Sequence, residues 1–213
     1  SVTQIIYPRI LQKEKRLEID TVRTFIKDKL NVTDTDIDLL ESAGGMTNKN
    51  YKVILNGQSY IVRIAGNGTE RFIDRTAEKE NSIIAQILGL DVETTYFDAE
   101  TGTKISQFIT GAETLNPVTA AYPKNMALTT NLLRKLHTSG LEFNNEFNVF
   151  REIEKYEHLA DEMAATYYEG YQTLRPLVLS LEDDLLKIGI DKKPCHIDTV
   201  PENFVKDNQG KTF

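Results

Sequence analysis

The chain has 213 residues, 40% hydrophobic and 27% charged, which suits one large domain or two small lobes of an ordinary globular protein. Its 25 basic and 32 acidic residues leave a net charge of −7, which argues against a nucleic-acid surface as its main business. No apolar run approaches about 18 residues, so no membrane span is expected, and a single cysteine, Cys195, excludes an internal disulfide and fits a reducing cytoplasm.

The first residues, Ser1-Val2-Thr3-Gln4, lack the charged-then-apolar design of a secretory leader. Residues 1 to 19 read as a polar arm or short helix. Asp20 is placed to cap a helix whose apolar stripe is Val22, Phe25, Ile26 and Leu30.

From Ile37 the period becomes that of strands. Ile37 to Ser42 leads through Ala43-Gly44-Gly45-Met46-Thr47-Asn48 into a second strand, Asn50 to Leu55. Asn56-Gly57 marks a type I′ hairpin turn, and Ser59 to Ala65 is the third strand. Glycines between the first two strands let backbone N–H groups approach a phosphate, although two glycines also make an ordinary turn. Arg63 says more, because a cation inside a strand of Ile, Val and Tyr needs a partner.

A helix is expected from Ile73 to Leu88, stopped by Gly89, with Ile83, Ile84, Ile87 and Leu88 on its inward face. Glu80 shares that stripe and Glu78 lies off it, so Glu80 is the favoured partner of Arg63; either Glu could instead make a solvated pair. Val92 to Phe97 and Lys104 to Ile109, joined through Gly102, complete a five-stranded antiparallel sheet. Gln107, Phe108 and Ile109 then leave what is read as an edge strand, where free backbone groups would meet a purine.

After Pro117 the chain is helical. One stripe is Leu128, Leu132, Leu133 and Leu136, closing near His137 and Gly140. A second runs from Phe150 to Tyr167, and a third from Leu174 to Ile188, with Pro176 in its first turn and Gly189 past its end. The fold class is therefore α+β: a sheet-rich first part, a helical second part, and a cleft between.

The stretch Cys195-His196-Ile197-Asp198-Thr199-Val200-Pro201-Glu202-Asn203-Phe204-Val205 has the spacing H-x-D-x-x-x-x-N. An Asp on such a loop can take the proton of a substrate hydroxyl, and an Asn five residues later can offer its oxygen to Mg²⁺. Asp, Asn and Pro are also ordinary turn residues, so the spacing alone is moderately specific. Phe204-Val205 reads as a short strand holding the loop against a core. His137, His158 and His196 are far apart, with no zinc-ligand spacing.

In this order the motifs resemble those of the choline/ethanolamine kinases, in particular the bacterial LicA type, within the aminoglycoside-phosphotransferase-like branch of the protein-kinase-like fold. The resemblance runs from about Leu40 to Val205. It rests on Gly44 to Tyr51, Tyr60 to Ile64, Ile73-Asp74-Arg75, Lys104 to Ile109, Leu136-His137 and the loop at Asp198.

It implies an N-lobe over residues 1–109 and part of a helical C-lobe over residues 110–213. It further implies transfer of the γ-phosphoryl group of ATP to choline or ethanolamine, or to another hydroxylated amine such as an aminoglycoside, or to a sugar. ATP and Mg²⁺ are the expected cofactors, and an amino alcohol the expected partner. Asp198 is similar to the catalytic base and Asn203 to a metal ligand, with His196 bracing the loop. Gly44, Gly45, Met46, Thr47, Asn48, Asn50, Arg63 and Glu80 match the nucleotide site, and Gln107, Phe108 and Ile109 the hinge.

Two departures stand out. The family usually has Asn where Ile197 stands, a change expected to be tolerated. Its second metal-binding Asp and its aromatic amine box are expected beyond Phe213, so the segment 1–213 alone is expected to bind nucleotide and transfer phosphate poorly or not at all.

Overall fold

The computed structural model describes residues 18–45, 48–66, 68–71 and 73–213. Most of the arm expected over residues 1–19 lies outside them, as do Met46 and Thr47. Residues 18–30 form α1, so Asp20 does not cap this helix but lies within it. Its backbone carbonyl accepts a hydrogen bond from the Thr24 hydroxyl, four residues on.

The sheet is antiparallel and five-stranded, in the order β1-β2-β3-β5-β4. Its strands are β1 (Ile37–Gly44), β2 (Lys49–Leu55), β3 (Gln58–Ile64), β4 (Thr94–Phe97) and β5 (Lys104–Gln107). Asn56 (φ 49°) and Gly57 (φ 79°) both take left-handed backbone, as a type I′ turn demands. One face of the sheet is apolar because alternate residues of each strand point the same way. Tyr51, Val53 and Leu55 of β2, Val62 of β3 and Ile105 of β5 bury there against Val22 and Ile26 of α1. The opposite face takes the other residues, with Asn50 opposing Arg63 and Arg63 opposing Lys104 in register.

Because β5 lies between β3 and β4, it is not the edge strand expected from the sequence. The Gln107 N–H donates to the Glu93 carbonyl and the Phe108 N–H to that of Ser59, both at 2.9 Å. Those two backbone donors, expected from the sequence to face a purine, are therefore used within the protein and not held out to a ligand.

Helix α2 (Arg75–Ile87) is capped by Asp74, whose carboxylate accepts from the N–H groups of Thr76 and Ala77. Its inward face differs from the expected one. Arg75 and Ala77 are buried, whereas Ile83 and Ile87 are 51% and 75% exposed.

The helical part comprises α3 (Pro117–Ala120), α4 (Pro123–His137), α5 (Val149–Glu162) and α6 (Tyr171–Ile188). Tyr167 falls after α5, beyond a turn in which Ala164 has φ 51°. Pro176 sits five residues into α6 and not in its first turn. A two-stranded sheet, β6 (Glu113–Thr114) with β7 (Val205–Lys206), ties the start of this part to its end. Asn81 of α2 bridges toward it, donating to Asn145 (2.6 Å) and accepting from the Asn144 N–H (3.0 Å). No helix among the described residues is long and apolar enough to cross a membrane.

Candidate active site

The strand carrying Arg63 and the helix carrying Glu78 meet in an ion pair, Arg63 Nη1 to Glu78 Oε1 at 2.5 Å. The predicted partner, Glu80, is instead exposed. The apolar residues of α2 suggested the wrong phase: the helix is set by its Asp74 cap and by Arg75 turning inward, and Glu78 lies one turn after Arg75 on the same side. Glu78 Oε2 accepts from Arg75 Nη1 at 2.6 Å, so one carboxylate serves two guanidiniums. Arg63 also donates from Nη2 to the Gly102 carbonyl (3.0 Å) and lies 5.6 Å from the centre of the Phe97 ring.

Gly44 (φ 83°) and Gly45 (φ 125°) join β1 to β2 in left-handed backbone. At Gly45 a Cβ would stand 2.0 Å from the Asn48 carbonyl oxygen, so only glycine lets the loop fold back this tightly. Gly44 pairs with Asn50, which opposes Arg63 on the next strand, so the glycine loop and the cation are brought together. The Asn48 side chain accepts from the Gly66 N–H at 3.4 Å and thereby leans on the loop after β3. Lys52, which the sequence reading passed over, shares the Arg63 face and lies 4.8 Å from the ring centre of Phe108. The two-residue alternation through Asn50 and Lys52 was the available signal.

The segment after β5 feeds β6, and β6 pairs with the strand that follows the Asp198 loop. Leu115 N–H donates to the Phe204 carbonyl (2.9 Å), and Lys206 Nζ pairs with Glu113 at 2.7 Å. Phe204, 2% exposed, packs with Leu115 and Leu132, so the strand expected at Phe204-Val205 does hold the loop to a core. The loop itself is exposed: His196, Asp198 and Asn203 all face solvent. The His196 ring stacks on Phe204 with centres 5.7 Å apart. Asn203 Nδ2 donates to the Asp198 carbonyl at 3.0 Å, closing the loop across a short 3-10 turn, Pro201–Asn203. Ile197, between His196 and Asp198, has φ 71°. Among the described residues no group of three or more His, Cys, Asp and Glu side chains forms a metal cluster.

No family model matches the chain. Protein LicA of Haemophilus influenzae is 30% identical over 164 residues, which is 77% of this chain. The chain spans 48% of that relative's length and 60% of a second LicA from the same species, about half of the curated relatives it matches. The crystal structure of choline kinase LicA from Streptococcus pneumoniae is 39% identical with a TM-score of 0.77, covering 91% of this chain and 67% of that one. A structure of LicA in complex with AMP is 38% identical with a TM-score of 0.75, covering 89% of this chain and 66% of that one.

Proposed function

The chain belongs to the bacterial LicA-type choline kinase family, with its two-lobed kinase fold, and from that premise we propose that it forms the ATP-binding cleft of a choline kinase. The observation that carries the reading is the small β6–β7 sheet, which joins the exit of the hinge to the strand after the Asp198 loop. A nucleotide seated at the hinge then lies between the glycine-loop lobe, residues 1–109, and the Asp198 loop of residues 110–213. Arg63 stands three residues along β3 from Tyr60, the partner of Gln107, about 10 Å from the hinge. That separation suits adenine at one end and phosphates at the other.

In this reading the choline hydroxyl oxygen attacks the γ-phosphorus, the bond to the bridging oxygen of ADP breaks, and the Asp198 carboxylate takes the hydroxyl proton. Phosphocholine and ADP are the products. Arg63, held by Glu78, faces the phosphates, while Gly44, Gly45 and Asn50 shape the loop over them. The Asn203 amide nitrogen is committed to the Asp198 carbonyl, and in this reading its amide oxygen is the atom offered to a ligand. An oxygen donor there fits Mg²⁺, which takes oxygen ligands and would draw charge from the transferring phosphoryl group. A cytoplasmic setting belongs to the same reading, since both ATP and a reduced Cys195 suit it.

Phosphoryl transfer from ATP to choline, ethanolamine and an aminoglycoside, measured side by side in a chain extended past Phe213, tests the reading. Choline should be the preferred acceptor. Asp198→Asn should keep ATP affinity while slowing turnover by about 10²–10⁴-fold, the usual worth of a general base. Turnover unchanged in that variant would remove Asp198 from the chemistry.

A further inference from the structure

Arg75 occupies the first position of α2, where the positive end of the helix dipole disfavours a cation. It is nevertheless 7% exposed. A guanidinium buried against the dipole persists only where its hydrogen bonds are made, and those of Arg75 form a chain with two ends. In one direction Nη1 reaches Glu78 Oε2, and the other oxygen of Glu78 holds Arg63. In the other, Nη2 donates to the Thr69 hydroxyl at 2.6 Å, and that hydroxyl donates to the Gly66 carbonyl at 2.7 Å. The Gly66 N–H in turn donates to Asn48 at the foot of the glycine loop.

The β4–β5 turn closes the arrangement. Gly102 (φ 71°) gives its carbonyl to Arg63, and a Cβ on it would stand 2.6 Å from Arg75 Nε. Absence of a side chain at Gly102 is what makes room for the second guanidinium.

We infer that Arg75 is a positioning residue for the nucleotide phosphates, tying the glycine loop to the Arg63–Glu78 pair through Thr69 and Gly66. The inference rests on the ATP site proposed above and deepens it. Two cations share one carboxylate, so the cluster keeps a net positive charge that a phosphate can neutralise. Without Arg75, Glu78 has a free oxygen and swings toward Arg63, drawing that guanidinium off the phosphates. Adenine, held at the hinge, is untouched by this change.

The test is the ratio of ATP to AMP affinity, measured by equilibrium titration of the unmutated chain, Arg63→Ala, Arg75→Met, Arg75→Lys and Thr69→Val. Arg75→Met should weaken ATP by roughly ten- to a hundredfold, the worth of hydrogen bonds to charged groups, while AMP shifts far less. Arg75→Lys should recover only part of the loss, because an ammonium cannot serve Glu78 and Thr69 with one planar fork. Thr69→Val, which removes only the hydroxyl, should lower the ATP-to-AMP ratio in the same direction and decides the matter if Arg75→Met does not fold. A purely structural role would weaken ATP and AMP by the same factor, and that result overturns the inference. If Arg63→Ala lowers the ratio and the Arg75 and Thr69 variants do not, the ATP site stands and the role of Arg75 is refuted. If the unmutated chain shows no preference for ATP, or Arg63→Ala leaves it unchanged, the ATP site and this inference fall together.

Discussion

Asn203 and Asp198 are joined by a hydrogen bond from the amide nitrogen of the first to the backbone carbonyl of the second, at 3.0 Å. The five-residue spacing between them thus closes a ring of chain. Asn203→Ala should therefore loosen the loop even in the absence of nucleotide. The bond is exposed, so its loss should cost about 0.5–1 kcal/mol, or a fall of roughly 1–4 °C in Tm for a domain of this size. An unchanged melting curve would mean that the ring is not closed in solution.

Ile197 carries the backbone strain of the same loop. Left-handed backbone costs an L-residue about 1–2 kcal/mol, and β-branched side chains tolerate it worst. Ile197 is 56% exposed, so replacing it sacrifices little burial. Ile197→Asn should raise stability by about 0.5–1 kcal/mol, because Asn populates this region readily. The departure expected to be tolerated thus carries a local strain in the chain as it stands. Thermal melts of the two proteins under one buffer decide it; a lower Tm for the Asn variant would contradict the argument.

Glu78 and Glu80 should separate cleanly on substitution. Glu78→Gln leaves Arg63 and Arg75 without their shared anion. The side chains of Arg63 and Glu78 are 19% and 25% exposed, so the cost should fall at about 2–3 kcal/mol, below that of a dry pair. Glu80→Gln, on the solvent face, should stay within about 0.5 kcal/mol. Urea unfolding of both variants provides the comparison, and equal effects would undo the assignment of Glu78.

The same helix shows how far the sequence could be read. Alternation in β1 to β5 and the Asn56-Gly57 turn are short-range signals, and the sheet follows from them. The closure of the His196–Asn203 loop was legible for a similar reason, since the loop and its anchor at Phe204 lie within nine residues. The facing of α2 depended on a partner twelve or more residues away. Ile83 and Ile87 suggested a buried stripe, yet burial there is taken by Arg75 and Ala77, and Glu78 beside them joins Arg75 to Arg63 on the distant strand β3. Strand order was hidden likewise: nothing local to Lys104–Gln107 says that β5 inserts between β3 and β4.

Last, the contact between α5 and α6 should depend on pH at both ends of the scale. Glu157 accepts from Arg175 Nη2 and from the Tyr171 hydroxyl, each at 2.8 Å, and also pairs with Arg175 Nε. The Arg175 hydrogen bond first, and that of Tyr171 second, hold its carboxyl below the usual range. A depressed carboxyl contributes its stability above the unfolded value of about 4.3 and loses it as pH falls through the folded value. Tyr167 works in the opposite sense. Its hydroxyl donates to Asp161 at 2.8 Å and to the Glu157 carbonyl at 3.1 Å, and its ring stacks on Tyr171 at 4.7 Å. The Asp161 bond, with burial adding to it, pushes the phenol up to about 12. A raised group contributes fully below the unfolded value of about 10 and loses that contribution as pH climbs through the folded one. Asp34, Asp36 and Asp98 are also depressed, so the acid limb of the wild-type curve is shared among several groups. Differences between proteins isolate the pair: the urea midpoint of Glu157→Gln should approach that of the wild type as pH falls, and that of Tyr167→Phe as pH rises above 10. A constant offset between wild type and either variant across those windows would show that the hydrogen bond in question does not couple to folding.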